Sequence, residues 1–253
     1  MSWSQMVLLV GAGVLGGLTG SIAGLASVAT YPALLLVGLP PVSANVTNTA
    51  ALVFNGIGSI AGSRPELAGQ GAYLRRMLPV AVAGGAVGAV LLLSTPAEGF
   101  EKLVPVLLGV ASMAILLPVG PPSAAAVSVR RRRMTVVVTA VSIFAICVYG
   151  GYFGAAAGVL LLAVLLRVSR GTLAEANAGK NVLLGVANTV AAVVFAVAAT
   201  VRWDAALVLG LGCLAGSRLG PVVVRHAPAG PMRLAIGIAG LALAARLGWD
   251  AYR

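Results

Sequence analysis

The chain has few charged residues. Of its 253 residues, 9% are Asp, Glu, Lys or Arg, whereas 60% are hydrophobic. Water-soluble domains carry roughly 25% charged residues, and a chain this apolar lacks the polar side chains to cover a surface in water. The mean hydropathy of +1.04 agrees with that reading. The composition therefore predicts an all-α, polytopic membrane protein.

Residues for acid–base, metal or redox chemistry are also scarce. The single histidine, His226, falls at the end of an apolar segment, and no aspartate or glutamate lies deep within one. Acid–base pairs, metal clusters and nucleophile triads therefore have nothing to be built from. Cys147 and Cys213 both lie in apolar segments, which indicates neither a disulfide nor a metal site. We predict no enzyme activity, no catalytic residue, no metal and no cofactor.

The net charge of +11 comes mainly from arginines between the apolar segments. Loops that remain on the cytoplasmic side of a membrane are enriched in such residues, so topology explains the charge better than nucleic-acid binding does. The only basic run, Arg130 to Arg133, is expected to fix topology and to contact anionic lipid. The N-terminal apolar stretch lacks the basic start of a secretory signal and is predicted to be a retained first span.

The chain is a tandem repeat. Its eight apolar segments are approximately residues 5–38, 42–63, 74–94, 101–119, 134–168, 174–200, 204–224 and 231–249. The pattern Gly16-Gly17-x-x-Gly20-x-x-x-Gly24 recurs at Gly150-Gly151-x-x-Gly154-x-x-x-Gly158, an offset of 150 − 16 = 134; an Ala-Asn pair recurs at 177 − 45 = 132. We predict a first transmembrane repeat over 1–120, a cytoplasmic basic linker over 121–133 and a second repeat over 134–253.

The first segment of each repeat is too long for one crossing. About 34 apolar residues would form a helix roughly 50 Å long, against a hydrocarbon core of about 30 Å. Glycine in the middle lets such a segment break into a hairpin of two short helices, which favours an inverted repeat over a parallel one. The distribution of basic residues barely separates hairpins from single crossings, so both topologies stay open.

Polar side chains cluster just after each glycine segment. Asn45, Asn48 and Asn55 share one helical face in the first repeat; in the second, Asn177, Asn181 and Asn188 share a face with Lys180 beside it. Buried polar groups are costly in lipid and mark substrate pathways, so we predict an anion site with Lys180 as its positive charge. The alternatives are that Lys180 extends to the membrane interface and that the asparagines only hydrogen-bond neighbouring helices.

The helix ends at each break add backbone N–H groups to this site, an arrangement that favours an anion. The predicted substrate-binding residues are Lys180, Asn177, Asn181, Asn45, Thr47, Asn48, Gly20, Gly24, Ser21, Gly154 and Gly158. For hydroxyl groups near the breaks, such as that of Ser21, the alternative role is to cap backbone groups that the helix break leaves unpaired. Gly84, Gly88, Gly216 and Gly220 have the spacing of close helix packing, and the role of Arg218 between two of them stays open.

The stretches GGLTGSIAGLASVATYPALLLVGLPPVSANVTNTAAL and GGYFGAAAGVLLLAVLLRVSRGTLAEANAGKNVLL resemble the TauE/SafE sulfite exporter family, also called toluene sulfonate uptake permeases. The resemblance implies export of sulfite, sulfoacetate or a related sulfonate across the bacterial inner membrane. The first half departs from the family's richer glycine run at Leu25, Ala26 and Ser27. Transport of another small anion such as a carboxylate, uptake, an anion channel and a non-transporting subunit are the alternatives. The partners implied are the small anion, the lipid bilayer and, as one open assembly, a second copy of the chain.

Overall fold

The computed structural model describes residues 1–116, 129–168 and 172–226, together with scattered positions between 234 and 249. This part of the chain is helical and contains no strand, which confirms the all-α prediction. The helices are α1 (Trp3–Ala23), α2 (Ala26–Leu36), α3 (Pro41–Gly62), α4 (Arg64–Leu67), α5 (Gly71–Ser94), α6 (Ala97–Leu116), α7 (Val129–Tyr152), α8 (Ala157–Val168), α9 (Leu173–Ala198) and α10 (Trp203–His226).

In the described part of the chain, four helices are long and apolar enough to cross a membrane: Trp3–Ala23, Gly71–Ser94, Leu173–Ala198 and Trp203–Val223. The shorter apolar helices Ala26–Leu36, Val136–Tyr152 and Ala157–Val168 lie beside them. The chain is therefore a multi-pass membrane protein. Most of the predicted linker and most of the predicted segment 231–249 lie outside the described residues.

The first long segment turns back on itself. Helix α1 ends where Gly24 adopts a left-handed backbone (φ 76°), and α2 begins two residues later. A Cβ on Gly16 would lie 3.6 Å from the Cβ of Thr30, although 14 residues of continuous helix would separate them by about 21 Å. The second long segment is interrupted between α7 and α8, where Gly154 (φ 74°) and Ala156 (φ 57°) are left-handed.

Close contacts between glycines fix the relative directions of the helices. Along α1 and α10, Gly13 meets Leu209 and Gly17 meets Ser217, so the two helices run parallel. By the same test α3 runs parallel to α10, and α5 runs parallel to α7 and α9. Helices α3 and α9 run antiparallel, because Gly56 meets Gly185 while Ser63 meets Asn181. Helices α1, α3 and α10 thus point one way, and α5, α7 and α9 point the other.

These directions give the bundle two distinct ends. At one end lie the C-terminus of α3, α4 and the start of α9. We call it the arginine-rich end, because it carries the exposed side chains Arg64, Arg75, Arg76 and Arg167. The opposite end has the end of α2 and the start of α10, where Arg202 and Asp204 form a half-exposed ion pair at 2.9 Å.

The predicted close-packing glycines do lie at helix contacts. A Cβ on Gly84 would lie 2.9 Å from the carbonyl oxygen of Phe144 in α7, and one on Gly220 would lie 3.2 Å from that of Leu18 in α1. Gly88 and Gly216 are as close to the backbones of the same two helices. Helix backbones can approach this closely because glycine contributes no side chain at the contact.

Candidate functional site

The two helix breaks meet at the centre of the bundle. Gly24 and Gly158 are equivalent positions of the repeat, since 158 − 24 = 134, and their backbones are in contact. A Cβ on Gly24 would lie 2.6 Å from the carbonyl carbon of Gly158, closer than real Cβ atoms come to backbone. Glycine at both positions therefore lets the two interrupted segments cross.

Helix α9 places three polar side chains on the end of α1. Lys180 Nζ donates to the carbonyl oxygens of Gly20 at 3.0 Å and Ser21 at 3.2 Å. Asn177 Nδ2 donates to Ser21 O at 2.9 Å, and Asn181 Nδ2 lies 3.4 Å from the same atom. The last carbonyls of a helix lack intrahelical partners and carry partial negative charge, which a cation stabilises. These contacts explain why Lys180 tolerates burial.

Lys180 is 1% exposed. The alternative in which its side chain extends to the membrane interface is therefore excluded. Glu175 is not its partner either, because that carboxylate accepts the backbone N–H of Thr172 at 2.6 Å in the capping box that begins α9. The two acceptors of the Lys180 ammonium group, Gly20 O and Ser21 O, are main-chain carbonyls. They carry partial charges, so neither is a full negative charge that would neutralise the ammonium group.

A small cavity lies between the two breaks. Its volume is about 30 Å³, enough for roughly one water molecule. The polar side chains that line it come from α2, α3 and α9 and belong to Ser27, Asn55, Ser59, Lys180, Asn181 and Asn188. The first hairpin adds Gly20, Gly24 and Ala26, and the second adds Gly150, Gly154 and Ala157. Residues of both repeats therefore line one small cavity.

Two helix N-termini border the cavity. Ala26 and Ala157, which line it, are the first residues of α2 and α8. Leu25, which precedes α2, provides no side-chain cap for the first-turn N–H groups. The uncapped N-terminus of α2 beside a buried ammonium group is an arrangement suited to an anion.

Five of the predicted site residues line this cavity: Lys180, Asn181, Gly20, Gly24 and Gly154. Asn177 lies next to it on Ser21, and Gly158 lies behind Gly24. The Ser21 hydroxyl donates to Leu18 O at 3.0 Å within α1 and packs against Gly220.

The three polar residues of α3 have other partners. Asn45 Nδ2 donates to Tyr152 O at 2.7 Å and so caps α7 as its repeat counterpart Asn177 caps α1. Asn48 accepts from Thr30 Oγ1 at 2.6 Å and donates to Ser27 Oγ at 3.2 Å, joining α3 to α2. Thr47 Oγ1 accepts the backbone N–H of Arg202 at the opposite end. None of the three is among the residues that line the cavity.

Some cavity residues were absent from the predicted set. Asn55 and Asn188 lie on the same helical faces as the predicted asparagines, and this helical spacing could have identified them as site residues. Ser59 follows Asn55 by one helical turn, and Ser27 opens α2; neither stands out in a sequence rich in small residues. Arg218 is exposed on α10, so it supplies no second charge to the cavity.

Comparison with known proteins adds independent information. The family model described as "Sulfite exporter TauE/SafE" matches residues 9–247. A curated protein from Sinorhizobium sp., "Probable membrane transporter protein ORF9", is 29% identical over 252 residues, which span 98% of this chain and 94% of that protein. The similarity therefore covers both repeats.

Proposed function

Because the chain belongs to the TauE/SafE sulfite exporter family, we propose that it exports sulfite or a related small sulfonate across the bacterial inner membrane. Membrane transport is the function that the family and the curated relative support. The substrate and the direction are our proposal. The observation that carries it is a buried lysine between two helix N-termini, in a cavity lined by no carboxylate.

Lys180 has one donor to offer a substrate. An ammonium group has three N–H donors, and two of them are directed at Gly20 and Ser21. The third is available to an anion oxygen in the cavity, beside the amide of Asn188 on the same helix. Because the carbonyl dipoles offset only part of the charge, the site stays positive enough to attract an anion and is weak enough to release it.

We propose that the repeats are inverted. Helices α1 and α7, and likewise α3 and α9, occupy equivalent positions in the two repeats and run in opposite directions. In this proposal repeats 1–120 and 134–253 exchange conformations about the crossing of Gly24 and Gly158, which gives alternating access. The arginine-rich end, where α7 also begins, is then cytoplasmic by the positive-inside rule.

The membrane potential suffices to drive export of an anion. With the inside negative, each expelled negative charge gains about 2.3 kcal/mol per 100 mV, so no coupled ion is required. This agrees with a cavity lined by amides, hydroxyls and one ammonium group rather than by proton-accepting carboxylates.

The test is anion flux in proteoliposomes that contain the purified protein under an imposed potential. We expect saturable, potential-sensitive sulfite flux that sulfoacetate inhibits and acetate does not. Faster carboxylate than sulfite flux would contradict the proposed substrate class. Flux that rises linearly with concentration would contradict a carrier and favour a channel.

A further inference from the structure

A second, larger cavity lies at the arginine-rich end, and no function proposed above uses it. Its volume is about 460 Å³, within the range of about 300–1,000 Å³ typical of ligand pockets. It lies between the end of α8 and the start of α5. Its lining residues are Ala68, Gly69, Gln70, Tyr73, Leu165, Val168, Glu175 and Ala176.

We propose that this cavity is the vestibule through which the substrate anion reaches Lys180, and that Gln70 is the gate at its inner end. The inference rests on the proposed function for the identity of the cargo. In this structure the vestibule is then open at the arginine-rich end, the gate at Gln70 is closed, and the opposite end is filled.

Gln70 separates the vestibule from the central site. Its Nε2 donates to the carbonyl oxygens of Glu66 at 2.7 Å and Glu175 at 2.9 Å, which ties the α4–α5 loop to the first turn of α9. Its Oε1 would lie 3.3 Å from a Cβ on Gly179, the residue before Lys180. The single side chain of Gln70 therefore holds the two walls together one residue from the proposed charge.

The vestibule is suited to a small anion with an apolar part. Leu165, Val168 and Ala176 supply apolar surface, while the Tyr73 hydroxyl is buried without a partner in the described structure and can donate to an oxygen. The Glu175 carboxylate also lines the vestibule and accepts the Thr172 N–H. The exposed arginines at this end of the bundle, Arg64, Arg75, Arg76 and Arg167, outnumber it and raise the local concentration of anions.

The opposite end is filled where the vestibule is open. Near the end of α2, Tyr31 and Leu34 are 1% and 0% exposed. Tyr31 packs edge-to-face on Phe153 at 5.3 Å, and Phe100 packs on Tyr152 at 5.8 Å and on Phe153 at 5.9 Å. This aromatic cluster closes the path between the crossing of the breaks and the opposite end, so the two ends differ in access.

Cysteine labelling tests this access. Val168→Cys, in the vestibule, is compared with Leu34→Cys near the equivalent end of α2, using a membrane-impermeant sulfonated maleimide on inside-out and right-side-out vesicles. Wild type gives the background, because both native cysteines are buried. We expect Val168→Cys to label from the cytoplasmic side at least tenfold faster than Leu34→Cys labels from either side. Equal rates, or labelling of Val168→Cys from outside, would overturn the proposal.

A second pair of measurements tests the path and the gate. Labelled Val168→Cys should lose sulfite flux at least tenfold, whereas labelled Leu173→Cys, 47% exposed at the same end, should keep it. Gln70→Ala should speed labelling of Ser59→Cys in the central cavity at least fivefold; an unchanged rate would contradict the gate. The labelling results do not depend on the cargo, so a failure of the substrate assignment and a failure of the vestibule can be told apart.

Discussion

Replacing Lys180 by methionine should leave the fold about as stable as wild type. Methionine matches the length of the lysine stem and removes the ammonium group. Loss of two hydrogen bonds from a charged donor, at about 1.5–3 kcal/mol each, costs about 3–6 kcal/mol. Burial of an ammonium group costs several kcal/mol in the wild type, and the variant no longer bears that cost. The end of α1 stays capped, since Gly20 O keeps the N–H of Gly24 at 2.7 Å and Ser21 O keeps Asn177.

We therefore expect the free energy of unfolding of Lys180→Met to lie within about 2 kcal/mol of wild type, on either side. The two buried cysteines make the assay direct, because a thiol-reactive fluorophore reports their exposure as the detergent-solubilised protein is heated. At about 2–4 °C per kcal/mol, the midpoint should move by less than about 8 °C. A fall of more than about 12 °C would refute the reasoning and make Lys180 a structural residue.

Three further changes follow from the same contacts. Asn48→Leu changes the repeat counterpart of Lys180. It should lower the free energy of unfolding by about 1–3 kcal/mol, because it leaves the Ser27 hydroxyl without its partner, while sulfite flux per folded molecule persists. Lost flux at unchanged stability would contradict this. Gly17→Ala places a Cβ 2.8 Å from Ser217 N and should lower the free energy of unfolding by about 1–3 kcal/mol. Its control is Gly11→Ala on the same helix, where the new Cβ meets nothing within 4 Å, so the free energy of unfolding should stay unchanged or rise by up to about 1 kcal/mol. Thermal midpoints measure both changes. Gly24→Ala combines a left-handed backbone with contact to Gly158, so its yield of folded protein should fall more than that of Gly17→Ala, as measured by size-exclusion chromatography.

The helix breaks were predictable because they depend on local sequence. A glycine in mid-segment interrupts a helix that the bilayer cannot accommodate, and Gly24 and Gly154 mark the two interruptions. The burial of Lys180 was also foreseeable, since few positions in an apolar helix tolerate an ammonium group.

The partners of the polar residues were not predictable. Repeat symmetry pairs Asn45 with Asn177, and these two do bind equivalent helix ends. It also pairs Asn48 with Lys180, whose partners differ. Asn48 binds Ser27 and Thr30 of α2, whereas α8 offers Lys180 no hydroxyl, so Lys180 binds α1 instead. Helix crossings that bring residues about 160 positions apart together leave no trace in sequence spacing.

Central to this account is that the buried charge of Lys180 binds the transported anion. The most direct measurement is sulfite flux into proteoliposomes under imposed potentials of either sign, with wild type, Lys180→Met and Asn48→Leu reconstituted to equal amounts of folded protein. The account predicts saturable, potential-sensitive flux that falls at least a hundredfold in Lys180→Met and persists in Asn48→Leu. Undiminished flux through folded Lys180→Met would contradict it.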